Sequence, residues 1–172
     1  MTPLALVAEL ADYPGPGFAA SLRAWPQLPA DVSPVVQDLL RAFAEGAGAL
    51  SPEQLEEAYA AAFDLQPDCT LNLGHHLFGE DWKRSSLLIE LAPLLQQAGL
   101  GLGGELPDHL CWLLRWLAQA PNSEEARELA ACVVLPGVRA LRGRLAPDHL
   151  YQPLLQAVEL LAAERAQAPV AA

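Results

Sequence analysis

The chain has 172 residues, 52% of them hydrophobic, and carries 10 Lys and Arg against 21 Asp and Glu, for a net charge of −11. A chain this hydrophobic is not disordered, and its length suits one compact domain. The negative charge excludes a general nucleic-acid binder, which needs a basic surface to displace counterions from phosphates. The longest uncharged run, 91–104, is shorter than the roughly 18 residues of a transmembrane helix, so we expect no membrane span.

The negative charge is concentrated in the first half of the chain. Residues 1–81 carry 12 acidic and 2 basic side chains, whereas residues 82–172 carry 9 acidic and 8 basic ones. An acidic half serves solubility, or it attracts a cationic peptide or a basic protein face, and charge alone does not separate the two. The three widely spaced cysteines, and an N-terminus with no positive residue before its apolar stretch, indicate a cytoplasmic protein without a secretory signal.

Apolar residues recur every three to four positions along the chain, and no stretch alternates as a strand does. The sequence therefore predicts an all-α fold, a single helical bundle of about eight to nine helices. Start and stop signals place these helices in chain order at about 3–12, 18–25, 32–45, 51–63, 70–78, 81–98, 107–120 and 123–134, with a last helix opening at Pro147-Asp148.

A glycine-rich segment, Gly99–Gly104, divides the predicted helices into two groups. Because glycine adopts many backbone conformations, we expect a hinge at 99–105 with a lobe of helices on either side. The predicted organisation is one domain over residues 1–168, followed by a short C-terminal tail at 169–172.

Few side chains have the spacing of a catalytic or metal site. His75 and His76 follow Cys69, but adjacent helical positions point about 100° apart, so both histidines cannot easily bind one metal ion. The chain has no CxxC or HExxH motif, and no Lys-Ser or Lys-Thr follows its glycine-rich segment as in a phosphate loop. An enzyme or metal protein built on Cys69, His75 and His76 is the alternative hypothesis.

The run Glu105-Leu106-Pro107-Asp108-His109 is the most distinctive polar segment. A proline with an acid beside it is typical of a helix start, which accounts for Pro107 and Asp108. It does not account for Glu105 or His109, because a charged histidine in the first turn meets the positive end of the helix dipole. Two interpretations stay open: a helix start, or a binding site beside the hinge.

Several segments, in their order along the chain, are similar to one protein family. They are Leu10-Ala11-Asp12-Tyr13-Pro14, then Tyr59-x-x-x-Phe63-Asp64 followed by Cys69-Thr70-Leu71-x-Leu73, then Leu77-Phe78-Gly79-Glu80 with Arg84, then Glu105 to Leu110, and finally Tyr151-x-x-Leu154-Leu155. Together they span about residues 4–160 and resemble the respiratory nitrate reductase delta-subunit (NarJ-type) family of molybdoenzyme assembly chaperones. His75 and His76 stand where family members often have tyrosines.

The resemblance implies an all-helical, non-enzymatic, cytoplasmic chaperone of nitrate metabolism. Such chaperones bind the apo catalytic subunit of a molybdoenzyme, notably its N-terminal segment, and hold it for molybdenum cofactor insertion before membrane docking. It implies no metal and no stably bound cofactor, only transient contact with the molybdenum cofactor of the client. We expect neither nucleic-acid binding nor membrane insertion, and we expect a monomer.

The client's N-terminal segment is an amphipathic peptide with basic residues, which we expect to lie in a groove between helices and to face the acidic half of the chain. The expected peptide-binding residues are Glu105, Pro107, Asp108 and His109 beside the hinge, and Tyr59, Phe63 and Phe78, which pack first and line the groove second. Two alternatives are a chaperone of a related exported molybdoenzyme that recognises a twin-arginine signal peptide, and a plain helical interaction adaptor.

Overall fold

The computed structural model describes residues 1–101 and 103–170. Within these ranges the chain is all-α, which confirms the predicted fold class. The helices are α1 (Pro3–Leu10), α2 (Phe18–Leu22), α3 (Pro34–Gly48), α4 (Pro52–Tyr59), α5 (Leu73–Phe78), α6 (Trp82–Gln97), α7 (Leu110–Gln119), α8 (Glu124–Leu129), α9 (Leu135–Arg142) and α10 (Gln152–Gln167). Among the described residues, none of these helices is long and apolar enough to cross a membrane.

Several helix starts lie where local side-chain chemistry predicts them. The backbone N–H of Gln54 donates to Ser51 Oγ at 3.3 Å, and that of Ser51 donates to Gln54 Oε1 at 3.0 Å, which completes the predicted capping box of α4. Asp81 accepts from the backbone of Lys83 at 2.9 Å and so caps α6. These bonds satisfy N–H groups that the first helical turn leaves free.

Two glycines inside helices serve close packing. Helix α3 ends at Gly48, within the predicted stop at 46–48, and it passes through Gly46, where an added Cβ would lie 2.9 Å from Leu150 Cδ1. The interruption expected at Pro136-Gly137 is wrong, because residues 124–142 are continuously helical, with a π-helical turn at Ala130–Val134 just before Pro136. The next residue, Gly137, packs against α5, with an added Cβ only 2.9 Å from Leu73 Cβ.

Two predicted helix starts are also wrong. The helices expected to open at Pro107 and Pro147 begin instead at Leu110 and Gln152. Both prolines lie in turns that precede the helices. The interpretation of Pro107 and Asp108 as the first turn of a helix is thereby corrected.

The core is organised around α10, which packs against α3, α9 and α1, while α1 also packs against α7. Tyr151, just before α10, is fully buried, and its ring centroid lies 4.9 Å from Phe63, 5.3 Å from Phe43 and 6.1 Å from Tyr59. The contacts with Phe63 and Tyr59 are edge-on and that with Phe43 is tilted, and aromatic contacts of these kinds add specificity to the apolar burial. Helix α6 is peripheral, because its main packing partner is α5.

The predicted hinge follows α6. Gly99, Gly103 and Gly104 have φ values of +73°, +54° and +100°, a region that glycine adopts without strain. Leu102 of the predicted hinge lies outside the described residues, as do Ala171 and Ala172 of the predicted tail. The hinge at 99–105, the two lobes and the tail stay predictions.

We expect Gly137→Ala to destabilise the fold by about 1–3 kcal/mol, because Leu73 Cβ lies close to its own backbone and cannot move aside. Helix propensity alone predicts the opposite effect, a stabilisation of the fold by up to about 1 kcal/mol. Gly48→Ala is the matched control, since the nearest atom to its added Cβ is 4.0 Å away. Urea unfolding of both variants measures the difference, and equal effects would contradict the close contact between α5 and α9.

Candidate functional site

The polar run 105–109 leads into α7. Its last residues pair through their backbone with the segment that leads into α5. The N–H of Leu73 donates to the carbonyl of Asp108 at 2.9 Å, and the N–H of Leu110 donates to that of Leu71 at 2.8 Å. These bonds flank an antiparallel bridge between Asn72 and His109. We call this region, residues 71–73 with 108–110, the polar junction.

Asp108 is fully buried at the polar junction, and it is paired with an arginine of α6. Arg84 Nε donates to Asp108 Oδ2 at 2.9 Å. A buried carboxylate is costly unless it is paired and hydrogen-bonded, so this contact determines where the side chain lies. Asp108 therefore joins α6 to the start of α7, and it braces the site instead of presenting a charge to solvent.

A glycine of α5 makes room for this carboxylate. A Cβ added to Gly74 would lie 2.6 Å from Asp108 Oδ2 and 3.3 Å from Arg84 Cγ, closer than real Cβ contacts come. Sequence reasoning does not find Gly74, and it finds Arg84 only as part of the family pattern. No local sequence pattern reveals these contacts, because Arg84 and Gly74 lie 24 and 34 positions before Asp108, whereas neighbours on one helix face are three or four positions apart.

The ion pair continues outward to the surface. Arg84 Nη1 lies 3.4 Å from Glu80 Oε1, and His75 Nδ1 lies 3.4 Å from the same oxygen. Glu80 is exposed, so solvent screens this outer part and it contributes little to stability. The buried Arg84–Asp108 contact is the part of the network that matters energetically.

Two histidines beside the junction are held in the neutral form. Burial lowers the pKa of His109, and the nearby carboxylates of Glu105, Asp12 and Asp108 oppose that shift only in part. Burial likewise lowers the pKa of His76, whose Nε2 lies 2.6 Å from the Thr70 carbonyl and so carries the ring proton. A neutral His109 at the N-terminal cap of α7 avoids the repulsion expected between an imidazolium and the helix dipole.

Buried polar atoms without a partner are concentrated at the polar junction. Of the seven such atoms in the described part of the chain, Asn72 Oδ1, Asp108 Oδ1 and His109 Nδ1 belong to the junction and His76 Nδ1 lies beside it. Buried polar atoms are normally satisfied, so their concentration marks a place suited to donors from water or from a bound chain. Among the residues that the structure describes, no three His, Cys, Asp or Glu side chains lie together so that they could hold a metal ion.

Cys69 and Cys111 are buried thiols. Burial raises the pKa of both, most strongly for Cys111 inside α7. Since the thiolate is the reactive form, these two side chains are suited to packing and not to nucleophilic chemistry.

A wide groove lies between α2, the second half of α3 and the start of α4, and we call it the α2–α4 groove. Its volume is about 960 Å³. Its lining is mainly apolar, with Pro14, Pro16, Phe18, Ala19, Leu22, Trp25, Pro26, Ala44, Ala47, Leu50, Pro52 and Leu55, and its charged members are Arg23, Arg41, Glu45 and Glu56. An apolar groove with a few charged side chains is the usual form of a site for an amphipathic helix or peptide.

A smaller cavity adjoins this groove. It has a volume of about 320 Å³ and shares residues of the turn at 15–18 with the α2–α4 groove. Asp12 and Arg115 also line this cavity, where Arg115 donates to Asp12, and the guanidinium of Arg115 lies 4.7 Å from the ring centroid of Trp112.

The predicted site residues occupy different environments. Tyr59 and Phe63 are buried in the aromatic cluster with Tyr151, and Phe78 is half-buried at the end of α5. Pro107, Asp108 and His109 are buried, whereas Glu105 is exposed. As far as the described residues go, none of these seven lines the α2–α4 groove. Their role in peptide binding stays a prediction.

Tyr59 nevertheless reaches the groove region through one neighbour. Its ring centroid lies 5.4 Å from that of Tyr13, whose side chain is exposed immediately before the turn at residues 14–17. The turn therefore packs between the aromatic cluster and the groove. Sequence reasoning missed the groove-lining residues, although the Pro-Gly-Pro-Gly run at 14–17 was visible as a helix stop.

Comparison with known proteins gives a family match. The sequence model of the family described as "Nitrate reductase delta subunit" matches residues 26–146. Two relatives are called "Nitrate reductase molybdenum cofactor assembly chaperone NarJ", one from Escherichia coli (strain K12) and one from Escherichia coli O157:H7. Each is 36% identical to this chain over 81 residues, which is 46% of this chain but only 34% of the relative's length.

We expect Asp108→Ala to lower the free energy of unfolding by about 3 kcal/mol or more, because it leaves the guanidinium of Arg84 largely buried without its partner. Glu105→Ala removes an exposed carboxylate from the same segment and should change stability by less than about 0.5 kcal/mol. Urea unfolding followed by circular dichroism compares the two variants. If Asp108→Ala is as stable as Glu105→Ala, Asp108 does not brace the junction.

Proposed function

The chain belongs to the nitrate reductase delta-subunit family, and from that membership we propose that it is a non-enzymatic assembly chaperone of a nitrate reductase. The observation that carries the proposal is the family match over residues 26–146, which includes the α3 and α4 walls of the α2–α4 groove, but not α2, and the whole polar junction. The names of the two relatives, which concern molybdenum cofactor assembly, support the same function.

We propose that the client is the apo catalytic subunit and that the α2–α4 groove binds its N-terminal segment. Apolar side chains of that segment would be buried against Phe18, Leu22 and Leu55, which line the groove. Its basic residues would be attracted by the acidic half of the chain, and in particular by Glu53, Glu56 and Glu57 of α4.

Binding of this kind needs no covalent chemistry from the chaperone. Held in the groove, the client segment cannot fold or dock elsewhere, so the catalytic subunit stays open while molybdenum cofactor is inserted. The cofactor belongs to the client, and this chain contributes at most a transient contact with it. We place this process in the cytoplasm, before the enzyme meets its membrane anchor.

The exposed face of the acidic half also suits a twin-arginine leader, so the identity of the client has to be tested directly. The catalytic subunit of nitrate reductase from the same organism would be produced with and without this chain, and its molybdenum content measured by mass spectrometry. We expect several-fold less molybdenum per catalytic subunit without the chain. Equal content in both preparations would contradict the proposed function.

A variant that fills the groove tests where the client binds. Ala19→Trp places an indole in the α2–α4 groove from an exposed position of α2, so the fold should tolerate it. Ala42→Trp is the matched control, since Ala42 is exposed on α3 but does not line the groove. We expect Ala19→Trp to lower the molybdenum content of the client at least fivefold and Ala42→Trp to leave it unchanged; equal values for the two variants would place the client elsewhere.

A further inference from the structure

Helix α6 presents an exposed apolar stripe. Trp82 is 70% exposed and Ile89 is 74% exposed, and these residues are seven positions apart on one face of the helix. Pro93 continues the stripe, and the small side chains of Ser85 and Ser86 lie between the two large ones. Large apolar side chains exposed together on one face indicate a surface that contacts another molecule.

The charge of this region differs from that of the rest of the chain. Helix α6 carries Lys83, Arg84 and Glu90, whereas the whole chain has a net charge of −11. Two copies of so acidic a protein repel each other least where the local charge is close to neutral. The same net charge disfavours an anionic lipid surface as the partner of this stripe.

The charged side chains beside the stripe complement each other across a two-fold axis. Lys83 and Glu90 are also seven positions apart, and they lie on the same flank of the exposed face. In an antiparallel pair of helices, identical flanks face each other. A crossing near Ser86 therefore brings Lys83 of each copy opposite Glu90 of the other, which gives two such pairs.

The apolar side chains fit the same arrangement. With the crossing near Ser86, Trp82 of one copy lies over the gap between Ile89 and Pro93 of the other. The two serines at the crossing are small enough to let the helix axes approach to the usual 8–10 Å.

We propose that the chain forms a symmetric dimer in which α6 packs antiparallel against α6 of a second copy. The dimer replaces the monomer expected from the sequence, and it does not depend on the proposed chaperone function. A contact along one helix of 16 residues, about 24 Å long, is at the lower end of interface sizes, so the dimer forms and dissociates with concentration.

Sedimentation equilibrium of the full chain from about 1 to about 200 µM tests the proposal. We expect the average mass to rise with concentration from 18.4 kDa toward twice that value. Trp82→Ser and Ile89→Ser should each weaken dimerisation at least tenfold. Leu65→Ser is the matched control, since Leu65 is 75% exposed but is not part of α6, and it should have no effect.

Charge reversal tests the geometry. Lys83→Glu alone and Glu90→Lys alone each place like charges opposite one another and should weaken dimerisation by about fivefold or more. The double variant restores opposite charges and should restore dimerisation. A mass of 18.4 kDa at every concentration overturns the proposal, and so does a double variant as weak as the single ones. If the wild type is monomeric and Trp82→Ser weakens client binding, the proposal is overturned and the stripe is a contact surface for the client.

Discussion

A buried ion pair sets the arrangement of the middle of this molecule. Asp108 lies fully inside the protein and is held by Arg84 of α6, while its carboxylate packs against the backbone of Gly74 in α5. Burial of a carboxylate is tolerated only with such a partner, so α5, α6 and the start of α7 have to lie where they satisfy it. The backbone of Asp108 and its neighbours pairs with residues 71–73 at the same place, and burial there lowers the pKa of His109 despite the nearby carboxylates.

The α2–α4 groove lies beside the turn at residues 14–17, and Tyr13 before that turn contacts Tyr59 of the aromatic cluster. The Asp12–Arg115 pair lines the smaller cavity that adjoins the groove. The groove offers apolar area and the acidic half offers charge, which are the two properties that bind a basic, amphipathic segment. Neither the buried thiols nor the neutral histidines add a reactive group, which agrees with a protein that works by holding another chain.

Local patterns in the sequence predicted much of the fold. The all-α class, the capping box at Ser51 and the caps of α6 and α8 depend on neighbouring residues, and all are present. The errors concern glycine and proline. The expected interruption at Gly137 and the expected helix start at Pro107 are wrong, because the true roles of these residues depend on Leu73 and on the turn before α7, which are distant or irregular. Gly74 escaped prediction for the same reason, and Arg84 was found only through the family resemblance. The groove was not predicted because its walls come from three separate elements.

The central claim is that this chain recognises the N-terminal segment of a nitrate reductase catalytic subunit through apolar contact and charge. Calorimetric titration of the chain with a synthetic peptide of roughly 15 residues from that N-terminus, at low and at high salt, tests it most directly. The account predicts saturable binding that weakens as salt screens the attraction between the basic peptide and the acidic half of the chain. A folded chain that does not bind the peptide at either salt concentration would contradict it.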